Sequence, residues 1–535
     1  MNTPQRLALA AVPLLYLLVL LVAPAGRLLA EAGELSVWVP LQDDYLRGRL
    51  IWSLAQASIT CVATLVLGLP LAWVLARFDF WGRSLVLHGL MLPFVVPTLV
   101  AAMGVLTLLG PQGVLRALGG PDLSGSPWLL LYGNLFFNLC LVVRAATQAL
   151  EQVSGSRVAA ARTLGATPWR VFWRIEWPSI APWLMAAMCL VFLYCLSGFG
   201  LALVLGGQSH ATVEVEIYTL VAHELQLAQA GSLAFWMLML SGLAALAYAA
   251  AERHLATVQR SDSVPRRRPC GWRQGVSIAG ALGVLAVVCA APLIAIVWRA
   301  MGAGLAGWAV LIEEATVQAL WNSLRFSVLA VCLATALGLA HAFAARRSVV
   351  MRALVFLPFS VSPVAVAFGM LLLYPQWTAS LGLLICAYAL LAYPFVAQAL
   401  AAALDAMPTQ LAQAARTLGA SPWRVFWRLT LPMLRPALRR GVAFAAATAV
   451  GEFAVTLFLS RPEWATLTTL IYEHLGRAGS AHRDAALVLA CLLMALAFLA
   501  LLVIEWSATE HFAIHKSRST ARTDVLGRER ELGHA

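Results

Sequence analysis

Residues 160–182 read AARTLGATPWRVFWRIEWPSIAP and residues 414–436 read AARTLGASPWRVFWRLTLPMLRP, identical at 16 of 23 positions. Two copies of so specific a string, 254 residues apart, mark an internal repeat, and its extent decides the fold. The same offset pairs Ala211-Thr212 and Ile217-Tyr218 with Ala465-Thr466 and Ile471-Tyr472. An offset of 265 pairs Leu92-Pro93-Phe94 and Gly104 with Leu357-Pro358-Phe359 and Gly369. The repeated unit is therefore half of the 535-residue chain.

The surroundings of the repeat are apolar. Hydrophobic residues make up 61% of the chain and charged ones 12%, with mean hydropathy +0.81, so the bilayer is the main solvent. Apolar runs predict twelve membrane spans: 7–26, 51–76, 84–109, 128–150, 183–206, 231–251, 274–298, 318–345, 353–374, 380–402, 437–460 and 484–506. Six spans separate equivalent points, an even number, so the halves share one orientation about an axis along the membrane normal. The expected fold is an all-α integral membrane protein of about twelve transmembrane helices in two parallel six-helix repeats. Its expected parts are a first half over 1–251 (repeat core about 50–251), a linker over 252–273, a second half over 274–506 (repeat core about 318–506) and a tail over 507–535. The first span has no small-residue cleavage site before Glu31 and reads as a retained helix, not a signal peptide.

Charge assigns the sides. Alternate connections collect Arg77, Arg83, Arg157, Arg162, Arg170, Arg174, Arg266, Arg267, Arg268, Arg346, Arg416, Arg424, Arg428 and Lys516; the others hold Glu31, Glu34, Asp43, Asp44, Asp122, Glu214, Glu216, Glu313 and Glu463. By the positive-inside rule the arginine-rich set is cytoplasmic, both termini with it, in a bacterial inner membrane. The net charge of +12 is thereby explained by topology and by anionic lipid at the inner leaflet, without nucleic acid as a partner. The nine cysteines lie mostly inside apolar spans with no C-x-x-C pair and no Cys/His cluster at metal spacing, which suits small core residues; no metal and no cofactor are expected.

The repeated string sits between the fourth and fifth spans of each half, on the arginine-rich side. Small Ala160 and Ala161, with Ala414 and Ala415, allow close approach, and Gly165 and Gly419 allow the chain to reverse. Pro168 and Pro422 suit the first turn of a second helix, and a proline stop is expected at its end. Trp169, Phe172 and Trp173, repeated as Trp423, Phe426 and Trp427, form an i, i+3, i+4 aromatic face beside arginines. Such a face can lie on the membrane interface or its own bundle, or it can receive a partner. Two copies on one side match a two-fold symmetric partner.

The two strings resemble the coupling motif of ABC importer permeases of type I, E-A-A, three residues, G, nine residues, I-x-L-P. The matches are Ala160, Ala161, Gly165, Ile175 and Pro178 in one copy, and Ala414, Ala415, Gly419, Leu431 and Pro432 in the other, with Leu429 at the Ile position. Ala159 and Gln413 replace the Glu, and Trp177 replaces the Leu, which puts one polar contact in doubt. The resemblance implies that each loop docks one subunit of a dimeric ABC ATPase and that a periplasmic binding protein lands on the outer loops 207–230 and 461–482. Single-chain fusions of two such halves include permeases for thiamine and thiamine pyrophosphate and for iron(III). The stretches 203–221 and 451–480 are most similar to the thiamine type, and the first also resembles the iron type.

No G-x-x-x-x-G-K-[ST] string occurs, so ATP hydrolysis belongs to another subunit and the chain is not itself expected to be an enzyme. For the path, Glu452 stands well inside the eleventh span where the first half has Gly198. A carboxylate there can face a cationic cargo or bond to neighbouring backbone. Tyr218 and Tyr472, a repeated pair, are further path candidates. Arg144 and Arg325 are placed to snorkel; His88, His341, Asn134, Asn138 and Gln148 suit interhelical hydrogen bonds; Pro93, Pro97, Pro358 and Pro363 can kink spans into a cavity. An ion-coupled secondary transporter is the alternative from another class; it would show broken helices but has no use for a duplicated cytoplasmic loop.

Overall fold

The computed structural model describes residues 3–33, 37–255, 264–346, 348–378, 380–459, 461–500 and 502. The expected tail at 507–535 and the linker residues 256–263 lie outside them. Among the described residues, ten helices are long and apolar enough to cross a membrane, and an eleventh span forms if Val350–Phe359 and Pro363–Leu373, bent by 92°, count together. The twelfth place is held by Leu431–Val450, whose Arg435, Arg439 and Arg440 keep its first half out of hydrocarbon, followed by the short Ala454–Leu459. Besides those arginines, the difference from twelve uninterrupted spans comes from breaks within the apolar runs. The run at 84–109 divides into Arg83–Gly89, Leu92–Val95 and Thr98–Leu109, with Val96 extended ahead of Pro97, as the proline ring requires.

A second difference concerns the halves themselves. The first helix of each half reaches across and packs on the other half. Ala23–Ala32 lies on Pro363–Leu373, and Ala291–Gly302 lies on Thr98–Leu109. Both crossings use a repeated glycine. A Cβ on Gly104 would stand 2.9 Å from the carbonyl oxygen of Pro292, and one on Gly369 would stand 2.7 Å from that of Pro24. Tyrosines bolt the exchange: Tyr132 Oη donates to the Val287 carbonyl at 2.7 Å, and Tyr374 Oη to that of Val19 at 2.7 Å. Apolar pattern alone could not reveal the exchange, because an apolar helix face does not name its neighbour.

Within each half the second and fourth spans cross where Gly68 meets Val142 and Gly338 meets Val396, again an equivalent pair. Each outer loop is tied down by a serine at the same place. Ser53 Oγ accepts the Val213 N–H at 2.9 Å, and Ser323 Oγ accepts the Leu467 N–H at 2.9 Å. The core is thus two copies of one packing scheme locked together by swapped helices. Gly104→Val and Gly369→Val should each lower the thermal midpoint in detergent, overpacking costing ~1–3 kcal/mol at such a contact. Gly280→Val, with nothing within 4 Å of its new Cβ, should shift it much less when scanned identically.

Candidate functional site

The two repeated loops are built by the same local rules in both copies. Gly155–Thr163 and Thr409–Thr417 end in a turn in which the Ala166 N–H donates to Ala161 O and the Ala420 N–H to Ala415 O, each at 3.0 Å. Gly165 and Gly419 sit at φ +79° and +81°, the left-handed conformation that a Cβ disfavours. Thr167 and Ser421 then cap the next turn by accepting the N–H of Arg170 and Arg424.

The expected proline stop is not observed. Pro168–Val171 continues through a π-helical turn, Phe172–Glu176, into Trp177–Leu196; Pro422–Val425 continues through Phe426–Thr430 into Leu431–Val450. In the widened turn the Trp177 N–H reaches back to Phe172 O, and the Leu431 N–H to Phe426 O, so Pro178 and Pro432 stand where a helix is restarting and their missing N–H costs little. Each loop helix is therefore the stiff end of the fifth span of its half.

The aromatic faces match closely. Trp169 stacks on Phe172 at 6.3 Å and meets Trp173 edge-on at 5.5 Å; Trp423 does the same with Phe426 at 6.1 Å and Trp427 at 5.4 Å. Val171 and Val425 are buried beneath, while Trp169 and Trp423 are each 70% exposed. Ile175 and Leu429 are half-buried, and Ala160, Ala414, Ala159 and Gln413 face solvent. Leu164 and Leu418, 88% and 87% exposed, extend both faces. They were not singled out in the sequence, although a leucine directly before the turn glycine of a polar helix was a readable sign. Exposed Arg162, Arg170 and Arg174 border the first face, and Arg416, Arg424 and Arg428 the second. The result is a pair of apolar patches in basic surrounds.

Deeper in the membrane a cavity of about 270 Å³ opens between the halves, lined by equivalent residues of each. Phe94 and Phe359, Phe137 and Leu391, Tyr194 and Thr448, and Phe199 and Phe453 are such pairs. Phe199 and Phe453 stack on each other across the two halves at 5.9 Å with planes 21° apart. Tyr218 packs edge-on to Phe199 at 5.6 Å and Tyr472 against Phe453 at 5.3 Å, so the tyrosine candidates stand behind the lining and buttress it. Glu452 lines the cavity, and its carboxylate also accepts the Val455 N–H at 3.0 Å. Asn134 and Asn138 also face the cavity, and Asn134 donates to Gln56 Oε1 at 2.6 Å between helices. His341 bonds the Met351 carbonyl at 2.7 Å, and Arg325 lies over the Phe326 ring, away from the cavity lining.

At the opposite end of the bundle, the loop 207–230 folds inward, its helix Val213–Thr219 buried and its tip at 222–226 exposed. Glu216 there pairs with Arg49 at 3.3 Å and accepts from Tyr45 at 3.0 Å. Burial raises its carboxyl above the ordinary range, and those two partners oppose the shift.

Because Leu164 and Leu418 are almost wholly exposed, Leu164→Asp with Leu418→Asp should leave the thermal midpoint within the ~0.5 kcal/mol of ordinary surface changes. Val171→Asp should unfold the loop and lower that midpoint clearly, since an unpaired charge would replace a buried side chain.

Comparison with known proteins agrees with this geometry. The family model described as binding-protein-dependent transport system inner membrane component matches twice, at residues 65–254 and 330–508. The chain is 28% identical over 499 residues to the thiamine transport system permease protein ThiP of Escherichia coli (strain K12), covering 88% of this chain and 90% of that protein. It is 25% identical to the protein of the same name from Haemophilus influenzae (strain ATCC 51907 / DSM 11121 / KW20 / Rd), over 92% and 94% of the two chains. The sulfate transport system permease protein CysW of Synechocystis sp. (strain ATCC 27184 / PCC 6803 / Kazusa) is 33% identical over 37% of this chain and 74% of its own. With two matched copies of the family model joined by a shared cavity and duplicated loops, the chain belongs to the inner-membrane components of binding-protein-dependent transport systems.

Proposed function

We propose that this chain is the membrane-spanning permease of an ABC importer for thiamine or thiamine pyrophosphate, powered by a separate ATPase dimer at the two loops and supplied by a periplasmic binding protein. The observation that carries the drive mechanism is the pair of matched, exposed Leu/Trp faces, each continuous with a membrane span. Closure of an ATPase dimer beneath them would move two rigid levers toward or away from the axis. Broken spans, also found in ion-coupled carriers, are present here too; the duplicated loops are what an ion-coupled carrier would leave unused. Both termini belong on the cytoplasmic side in this reading, because the loops and the arginines that flank them do.

For the cargo, the support is the names of the full-length relatives together with the chemistry of the cavity. Faces of phenylalanine and tyrosine attract organic cations, and a single carboxylate, Glu452, supplies the opposite charge. A thiazolium ring, common to thiamine and its diphosphate, fits that lining. Iron(III) would call for several hard oxygen donors, whereas this lining offers one carboxylate among aromatic rings, amides and hydroxyls.

The test is uptake in proteoliposomes with the cognate ATPase and binding protein. Leu164→Asp with Leu418→Asp should abolish ATPase co-purification and uptake; full retention of both would end the docking reading. Glu452→Gln keeps an acceptor for the Val455 N–H and removes only charge, and should raise the KM for thiamine roughly tenfold, about 1.4 kcal/mol of lost cation attraction. An unchanged KM would remove Glu452 from the path.

A further inference from the structure

The two loops share a fold but are held differently. At the base of the first, Glu151 closes the helix Pro127–Glu151 and takes two arginines, Arg83 at 2.5 Å and Arg266 at 2.9 Å. Arg266 comes from the segment that joins the two halves. Its neighbour Arg267 pairs through backbone with the end of the second span: the Arg267 N–H donates to Arg77 O and the Asp79 N–H to Arg267 O, each at 2.9 Å. Val264 packs on the apolar cluster of the first half. Arg77 continues the chain of contacts to Glu176 at 2.5 Å, with only 11% and 8% of the two side chains exposed. Glu176 lies in the π-helical turn that connects the first loop to its span.

The equivalent positions in the second half are Asp405 and Thr430. Asp405 pairs with Arg352 at 3.0 Å, but the two side chains are 47% and 50% exposed. Thr430 carries no charge, and among the described residues no ion pair reaches the second π-helical turn. An ion pair open to water restrains little, whereas a buried one holds its geometry because separating it strands a charge. In the first half the firm restraint is therefore the buried Arg77–Glu176 pair together with the two Arg267 backbone bonds, and the Arg266–Glu151 pair, its side chains 44% and 31% exposed, adds to them.

We infer that residues 264–267 form a strap that stiffens the first loop only, so that the two ATPase-docking faces respond unequally to a symmetric partner, with Arg266 and Glu151 as positioning residues acting through that loop. The inference rests on the reading of the loops as docking faces. Fusion of the halves supplies the strap, since a dimer of separate halves would present two identical loop bases.

Hydrogen exchange on the full chain in lipid nanodiscs, without ATPase, measures the difference directly. Backbone amides in 155–176 should exchange about three- to tenfold more slowly than those in 409–430, as an added local clamp of this kind predicts. In Arg266→Ala and in Glu151→Gln the ratio should fall toward one, and Arg266→Lys should preserve part of it. Equal exchange in the native chain, or a ratio that neither variant moves, overturns the strap. In the assembled transporter, Arg266→Ala should lower the thiamine carried per ATP hydrolysed while leaving the thermal midpoint in place; an unchanged yield overturns its role in coupling. Because the exchange measurement needs no ATPase, failure of an ATPase to bind strikes the docking reading alone and leaves the strap to be judged on exchange.

Discussion

A backbone inside hydrocarbon has no water to satisfy its N–H and C=O groups, and this constraint governs where the helices of the chain can stop. Four interruptions fall at depth: around Val96-Pro97 and Ser197-Gly198 in the first half, and around Val361-Ser362 and Gly451-Glu452 in the second. All four border the same cavity. At the two second-half breaks side chains meet the freed donors, Ser362 Oγ accepting the N–H groups of Val364 and Ala365 and the Glu452 carboxylate that of Val455, whereas the first-half helices that restart at Thr98 and Phe199 carry no such side-chain cap. Breaks and cavity depend on each other. Irregular backbone is tolerated only where it lines an enclosed space, and the space exists because the spans bend away from it.

The exchanged first helices determine how such a space can change shape. Proline carbonyls at Pro24 and Pro292 lie within van der Waals range of the opposite half's glycines, and these contacts leave no slack for sliding. The halves therefore cannot part as independent bodies; each carries a helix of the other. Under the proposed docking of an ATPase, the fifth spans, continuous with the loop helices, are the elements through which a push on the loops would reach these crossings.

Much of this was legible in the residues. The apolar runs and the repeat follow from hydropathy and two nearly identical strings. The prolines also marked the breaks correctly, since Val96 and Ser362, each ahead of a proline, are the extended residues. What was hidden depends on partners distant in sequence. The swap of first helices, the pairing of Arg77 with Glu176 and the stacking of Phe199 on Phe453 join residues that no local pattern connects. The π-helical turn was hidden for another reason: a proline after an aromatic run reads as a stop, and only the widened turn before it lets the helix go on.

A duplicated fold asks its two copies to do the same work, and the places where they have diverged show which tasks are unequal. Packing has stayed symmetric: Gly104 and Gly369, Ser53 and Ser323, Gly165 and Gly419 serve equivalent contacts. Charge has not. Glu452 stands where the first half has Gly198, fully buried Glu214 where the second half has Thr468, and Glu176 where it has Thr430. For Glu452, which lines the cavity shared by the halves, symmetric cost gives a reason, because a second carboxylate at Gly198 would bring two like charges together in a medium of low dielectric. One charge per site avoids that repulsion, and a single fused chain is the arrangement in which the two halves are free to differ.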